Sequence, residues 1–184
     1  MRSQATYRGD VKVIAIHTAP GVRLPMVARS SVLAEAGVGL VGDRYHGTKH
    51  RHVTIQAQDA LDEGAVELGR TFAPELTRRN ITVDVGPIPR VPGDRLRIGD
   101  VELEVVRIAA PCRLLDDTIG PGAARALSRR AGTIFRILSS GEIRVGDEVR
   151  VSTLTDVGSR TDRCRVSAGV RRSRGAGRRC RHSG

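Results

Sequence analysis

The sequence contains no tryptophan, and aromatic residues make up only 2% of its 184 positions. That scarcity argues against a surface that grips single-stranded nucleic acid by stacking bases on rings. With 39% hydrophobic residues the chain can still build a core, but the core must be aliphatic. Long apolar runs are missing as well. The longest early one is Val13 to Ile16, far below the roughly 18 residues of a membrane helix and too short for a signal-peptide core. The three cysteines, Cys112, Cys164 and Cys180, stand far apart, which excludes a disulfide framework and suits a reducing compartment. The expectation is a soluble cytoplasmic protein with one domain, because the length allows one true core and not two of ordinary size.

Acidic residues are also unevenly absent. From Gly158 to Gly184 nine arginines face one acid, Asp162, so that stretch holds +8 of the formal net charge of +11. The first 157 residues carry the remaining +3. The expected organisation is a folded domain over residues 1–157 followed by a disordered tail, 158–184, of Arg, Gly and Ser, with too little apolar surface to fold. A basic nucleic-acid-binding module that uses this tail is the alternative function. Any such binding would be weak, carried by phosphate contacts and blind to sequence.

What is present reads as short strands. Leu96 and Ile98 alternate with Arg95 and Arg97, Gly99-Asp100 makes a turn, and Val101, Leu103 and Val105 alternate with Glu102 and Glu104. Period two on both arms predicts a half-buried hairpin. Further strands are expected at Val11–His17, His52–Gln56, Ile81–Val85, Ile134–Leu138 and Ile143–Val151. Ser30–Ala36 fits either a helical turn or a strand. Asp59–Gly69 is expected to be helical, with Leu61, Ala65 and Leu68 on one face, and a second helix is expected from Pro121 to about Ala131. This pattern predicts a mostly β fold, a small closed or nearly closed barrel with two short helices.

Cys112 follows Pro111, which cannot donate to a strand ladder, so the thiol is expected where the sheet ends and a loop begins. Arg113 beside it favours the thiolate, the form that transfers sulfur or ligates metal, while Asp116 and Asp117 work against it. The bland alternative is a buried small hydrophobe. Arg78-Arg79-Asn80 before a strand suits an anion such as phosphate, though a solvated turn fits the same residues. His46, His50 and His52 could hold zinc together with Cys112, but no CxxC or HExxH accompanies them. The glycine-dense GVGLVGDRYHG lacks the Gly-Lys-Ser/Thr ending of a phosphate-binding P-loop.

In order along the chain, GVGLVGDRYHG, HRHVTIQ, TRRNITV, PGDRLRIGDVELEV and the Pro111-Cys112 pair resemble the MOSC domain, named for the C-terminal part of molybdenum cofactor sulfurases. The resemblance spans roughly Val11 to Val151. It implies a mostly β barrel with an essential cysteine, here Cys112, that carries sulfur or ligates the molybdenum of a bound molybdopterin cofactor in proteins that reduce N-hydroxylated compounds. Arg79 and Asn80 match the family's Arg-Asn motif and would hold the cofactor's phosphate or pterin, with Arg78 beside them. Arg44, His46 and Arg113 are further candidates, chosen as polar side chains next to forced turns. No pyridoxal-phosphate desulfurase segment and no four-cysteine ferredoxin pattern occurs in the sequence, so sulfur or electrons would come from a partner protein.

Overall fold

The computed structural model describes residues 10–152. In chain order the elements are β1 (Val11–Thr18), β2 (Val27–Arg29), β3 (Ser31–Glu35), β4 (Gly39–Leu40), β5 (Val53–Ala57), α1 (Gln58–Leu68), a 3-10 turn (Pro74–Thr77), β6 (Ile81–Val83), β7 (Arg95–Ile98), β8 (Val101–Ile108), α2 (Arg113–Thr118), α3 (Ala123–Ala126), β9 (Thr133–Ile137), β10 (Gly141–Arg144) and β11 (Glu148–Ser152). Seven strands in the order β11-β7-β8-β9-β5-β6-β1 close on themselves, because β1 also pairs with β11. Val11 lies opposite Val149 and Lys12 opposite Glu148 in that closing ladder. The remaining short strands lie outside the barrel: β2 pairs with β1, and β10, β3 and β4 form a separate small sheet.

Alternation fills the barrel from every side. Leu96, Ile98, Val101, Leu103 and Val105 of the β7–β8 hairpin are buried, with Leu96 opposite Leu103 and Ile98 opposite Val101. Ile55, Ile81, Ile137 and Val149 meet them, and Phe135 is the one aromatic ring in this aliphatic core. A smaller cluster of Leu61, Leu115, Ile119, Ala123 and Leu127 packs the three helices together outside the barrel. Gly64 permits that approach, since a Cβ there would stand 2.8 Å from Leu127 Cδ2.

The pair β5–β6 is parallel. Parallel neighbours need a long crossover, and α1 with the 3-10 turn supplies it. The crossover is anchored by Gln56, whose Nε2 donates to the Pro74 carbonyl at 3.2 Å and whose Oε1 accepts from Thr77 Oγ1 at 2.7 Å. Among the described residues no helix is long and apolar enough to cross a membrane.

Three sequence expectations change. The stretch Ile143–Val151 divides at its Gly-Asp corner into two strands of different sheets, because Gly146 takes φ +97° and Asp147 Oδ2 accepts from the Arg144 backbone N–H at 2.8 Å, turning the chain between β10 and β11. The helix expected from Pro121 shrinks to Ala123–Ala126, closed in by positive φ at Gly120, Gly122, Arg129 and Gly132. A third helix, α2, begins directly after Cys112. The ambiguous segment after Ser30 is the strand β3. The arginine-rich tail, with Cys164 and Cys180, lies outside the described residues.

Candidate functional site

One end of the barrel is built around Asn80. Its backbone carbonyl accepts from the His17 N–H at 2.7 Å, tying β6 to β1. Its side-chain Oδ1 accepts from Thr54 N at 3.1 Å and from Thr54 Oγ1 at 2.8 Å, while Nδ2 donates to the His17 carbonyl at 3.2 Å and to Asp43 Oδ2 at 2.9 Å. All the polar capacity of this amide is thus spent inside the protein. Asp43, itself buried, also accepts from Ala19 N at 3.1 Å and Tyr45 N at 3.1 Å, and its Oδ2 lies 3.6 Å from Arg44 Nη1. The glycine-dense segment after β4 is therefore pinned to the strand end by a carboxylate and an amide.

Around that bracket the structure gathers cations. Arg44 is almost wholly buried as a side chain, 4% exposed, and its Nη2 donates to the Arg78 carbonyl at 3.0 Å. Arg78 caps the 3-10 turn in the left-handed region at φ +61°, and its Nη1 donates to the Leu24 carbonyl at 2.8 Å. Arg79, 6% exposed, donates from Nε to the Ala131 carbonyl at 2.8 Å and from Nη2 to the Ala110 carbonyl at 3.4 Å. Arg51 sits over the Tyr45 ring with its guanidinium carbon 3.9 Å from the centroid, and Arg44 lies 4.7 Å from the same centroid. These are cation–π distances.

The electrostatics follow from crowding like charges into a partly dry place. Burial pushes Arg79 down to about 10, the neighbouring Arg51 adds to the fall, and Cys112 acts in the opposite direction. Burial likewise lowers Arg51 and Arg78, with Arg44 lowering both further. Asp43 is the buried carboxylate facing them. Two donors in this cluster, Arg51 Nε and Arg78 Nη2, are buried without a hydrogen-bond partner. Buried donors are ordinarily satisfied, so these atoms fit a site that takes an anionic group.

Cys112 is exposed and stands directly before α2, its carbonyl accepting from Leu115 N at 2.9 Å. Arg113 is the exposed first residue of α2. The structure thus brings Arg44, Arg78, Arg79 and Cys112 to one end of the barrel, with Asn80 as the strut beneath them. His46 faces away: its Nε2 lies 2.9 Å from Glu35 Oε2 on β3. The three histidines diverge, since His50 is exposed and His52 is buried with its Nδ1 accepting from Ile137 N at 3.0 Å. Among the described residues no group of three or more His, Cys, Asp or Glu could hold a metal, so the zinc expectation fails. Sequence reasoning missed Arg51 and Tyr45, although Tyr45 lies between two residues it did select. A separate cleft of about 270 Å³, lined by Asp59, Glu63, Arg90 and Arg130 among others, offers less for an anion because Arg130 is already paired with Glu63 and Glu67.

The family model of the MOSC domain matches residues 42–150. The chain belongs to the MOSC domain family. Solved structures share the fold of this MOSC domain. The YuaD protein from Bacillus subtilis superposes with a TM-score of 0.71 at 18% identity, over 80% of this chain and 98% of that one. YiiM from Geobacillus stearothermophilus gives 0.63 at 16% identity, over 77% and 75% of the two chains. YiiM from Escherichia coli gives 0.58 at 15% identity, over 77% and 70%. No curated protein sequence matches the chain. The matched region of the MOSC domain includes the arginine cluster, Asn80 and Cys112.

Proposed function

We propose that this MOSC domain binds an anionic molybdopterin-type cofactor at the arginine cluster, and that Cys112 carries sulfur for that cofactor or ligates its molybdenum. The observation that carries the reading is the convergence of Arg44, Arg51, Arg78 and Arg79, two of them with unsatisfied buried donors, beside an exposed thiol. Guanidinium forks suit phosphate oxygens, and a soft thiolate suits sulfur transfer or molybdenum. When bound, the cofactor supplies redox-active molybdenum suited to reducing N-hydroxylated compounds.

The protein's own residues divide the work. Arg78 and Arg51 present free donors to the anion. Arg79 sits behind them and contributes charge, since its Nε and Nη2 already hold two loop carbonyls. Asn80 and Asp43 fix the spacing of the cluster. Cys112 and Arg113 stand at the exposed lip, open to a sulfur or electron donor, and the setting is a reducing cytoplasm that keeps the thiol free.

Metal and pterin analysis of the full chain, purified from cells that make the cofactor, tests the reading. Stoichiometric pterin that falls in Arg78→Ala but survives in Cys112→Ser, with molybdenum or persulfide lost in the latter, is the expected pattern. Absence of pterin and molybdenum from folded wild-type protein would refute it.

A further inference from the structure

The four arginines of the cluster are not held alike. Arg44 donates from Nη2 to the Arg78 carbonyl at 3.0 Å and from Nη1 to Met26 Sδ at 3.2 Å. Arg78 is held by the Leu24 carbonyl and Arg79 by the Ala131 carbonyl, each at 2.8 Å. Every one of these anchors spends a guanidinium N–H. Arg51 spends none: among the described residues its guanidinium makes no hydrogen bond and no ion pair, and its Nε is buried without a partner. What it has instead is the Tyr45 ring, with the guanidinium carbon 3.9 Å from the centroid. That is the contact distance of two carbon atoms. An edge-on guanidinium would place an N–H between its carbon and the ring and so hold the carbon further out, which means that here the flat faces meet.

Stacking uses the face of a guanidinium and leaves its N–H groups, which lie in the plane, for another partner. The loop that carries both residues keeps them abreast. Tyr45 N donates to Asp43 Oδ1 at 3.1 Å, and the Thr48 hydroxyl lies 2.8 Å from the Tyr45 carbonyl and 3.0 Å from the Arg51 carbonyl. Thr48 N also donates to the Tyr45 carbonyl at 3.1 Å. Asp43 is in turn fixed by Asn80 Nδ2 at 2.9 Å, so the ring hangs from the same bracket as the rest of the cluster. We propose that Tyr45 is a positioning residue of the anion site: its ring holds Arg51 by the face, so that the N–H edge, Nε included, stays fixed and yet free for the ligand's oxygens. The proposal rests on the reading of the cluster as an anion site, and it adds how one donor there is placed without being spent.

The test is calorimetric titration of the full chain with inorganic phosphate at constant chloride, on wild type, Arg51→Gln, Tyr45→Leu, Tyr45→Phe and the double variant Tyr45→Leu, Arg51→Gln. Arg51→Gln should weaken phosphate by about tenfold, as loss of one charged donor does. Tyr45→Leu should weaken it by about fivefold, while Tyr45→Phe, which keeps a ring, should stay within about twofold of wild type. The double variant should bind no more than about twofold more weakly than Arg51→Gln, because a residue that acts through Arg51 then has nothing left to position. The chain has no tryptophan and two tyrosines, Tyr7 and Tyr45, so Tyr7→Phe makes the near-ultraviolet band a reporter of Tyr45 alone. That band should shift as phosphate saturates, with the calorimetric dissociation constant, and stay still when Arg51→Gln is added. This arm leaves Tyr45 in place, so it decides the matter even if Tyr45→Leu does not fold. Additive losses in the double variant, equal losses in Tyr45→Leu and Tyr45→Phe, or a band that ignores phosphate would each overturn the proposal. Any of those results with phosphate still bound by wild type leaves the anion site standing, whereas a wild type that takes no phosphate ends both.

Discussion

Asn80→Ala removes a buried side chain whose three partner residues, Thr54, His17 and Asp43, are buried as well. Asn80 and Thr54 are each 1% exposed, Asp43 5% and His17 7%. Truncation leaves the Thr54 N–H and the His17 carbonyl without their side-chain partner and takes one donor from the Asp43 carboxylate. An orphaned buried polar group costs about 1–3 kcal/mol, and a charged one more. Asp43 keeps Ala19 N, Tyr45 N and the nearby Arg44, so its share is partial. The sum is about 3–5 kcal/mol, a large part of the roughly 5–15 kcal/mol that keeps a domain folded. Urea unfolding followed by circular dichroism measures it, with the m-value unchanged. Two residues earlier in the chain the outcome reverses: Arg78→Ala gives up one exposed bond to Leu24 and removes an unsatisfied buried donor, so it should cost less than about 1 kcal/mol. A loss below about 1 kcal/mol in Asn80→Ala would refute the bracket and return the amide to the ligand.

Other outcomes follow from the same geometry. Inorganic phosphate should raise the melting temperature relative to chloride at equal ionic strength, through Arg51 and Arg78, and the rise should vanish in an Arg51→Gln, Arg78→Gln double variant; a phosphate shift that persists there places the anion elsewhere. Arg79 is a base whose folded value, about 10, lies below its ordinary one. The unfolded chain therefore binds more protons across the window above pH 10, so this residue costs about 3 kcal/mol below it and the cost fades as pH rises toward the unfolded value. Stability measured against pH should lose that slope in Arg79→Gln, and an identical slope would contradict the burial argument. Gly132→Ala should destabilise by more than about 2 kcal/mol, since φ is +84° and a Cβ would come 2.2 Å from the Ile55 carbonyl oxygen; Gly37→Ala, with nothing within 4 Å, should cost only about 1 kcal/mol of backbone strain in the same melt.

The β7–β8 hairpin was legible because alternation is local: each arm states its own face. Closure was legible as an architecture, from many short strands between Gly and Pro corners, but the ladder that makes it was not, since the pairing of Val11 with Val149 depends on residues at opposite ends of the domain. The Gly146-Asp147 corner was legible in RVGDEVRV as an echo of the Gly99-Asp100 turn, but the apolar spacing runs on through it, and the backbone at Gly146 fixes where β10 ends and β11 begins. Helix α2 escaped because six residues give too little pattern. In the site, the order of motifs pointed to Cys112, Arg79 and Asn80. The sequence could not separate the arginine that contributes charge from the amide that supports the scaffold, since burial is decided by distant partners. His46, His50 and His52 suggested a cluster through spacing alone, and tertiary contacts with Glu35 and Ile137 send two of them apart.

Arg79 also has a mechanical meaning. One planar guanidinium spans the carbonyls of Ala131 and Ala110, which belong to two loops far apart in sequence. It works as a crossbar, and the second loop reaches Cys112 two residues later. A lysine in its place would keep the positive charge but present a single compact ammonium instead of a rigid fork. It could grip one loop at a time, and the thiol-bearing segment would be free to swing relative to the other. Position 79 therefore specifies a distance between two loops as much as it specifies a charge, and a charge-conserving exchange there would not be conservative.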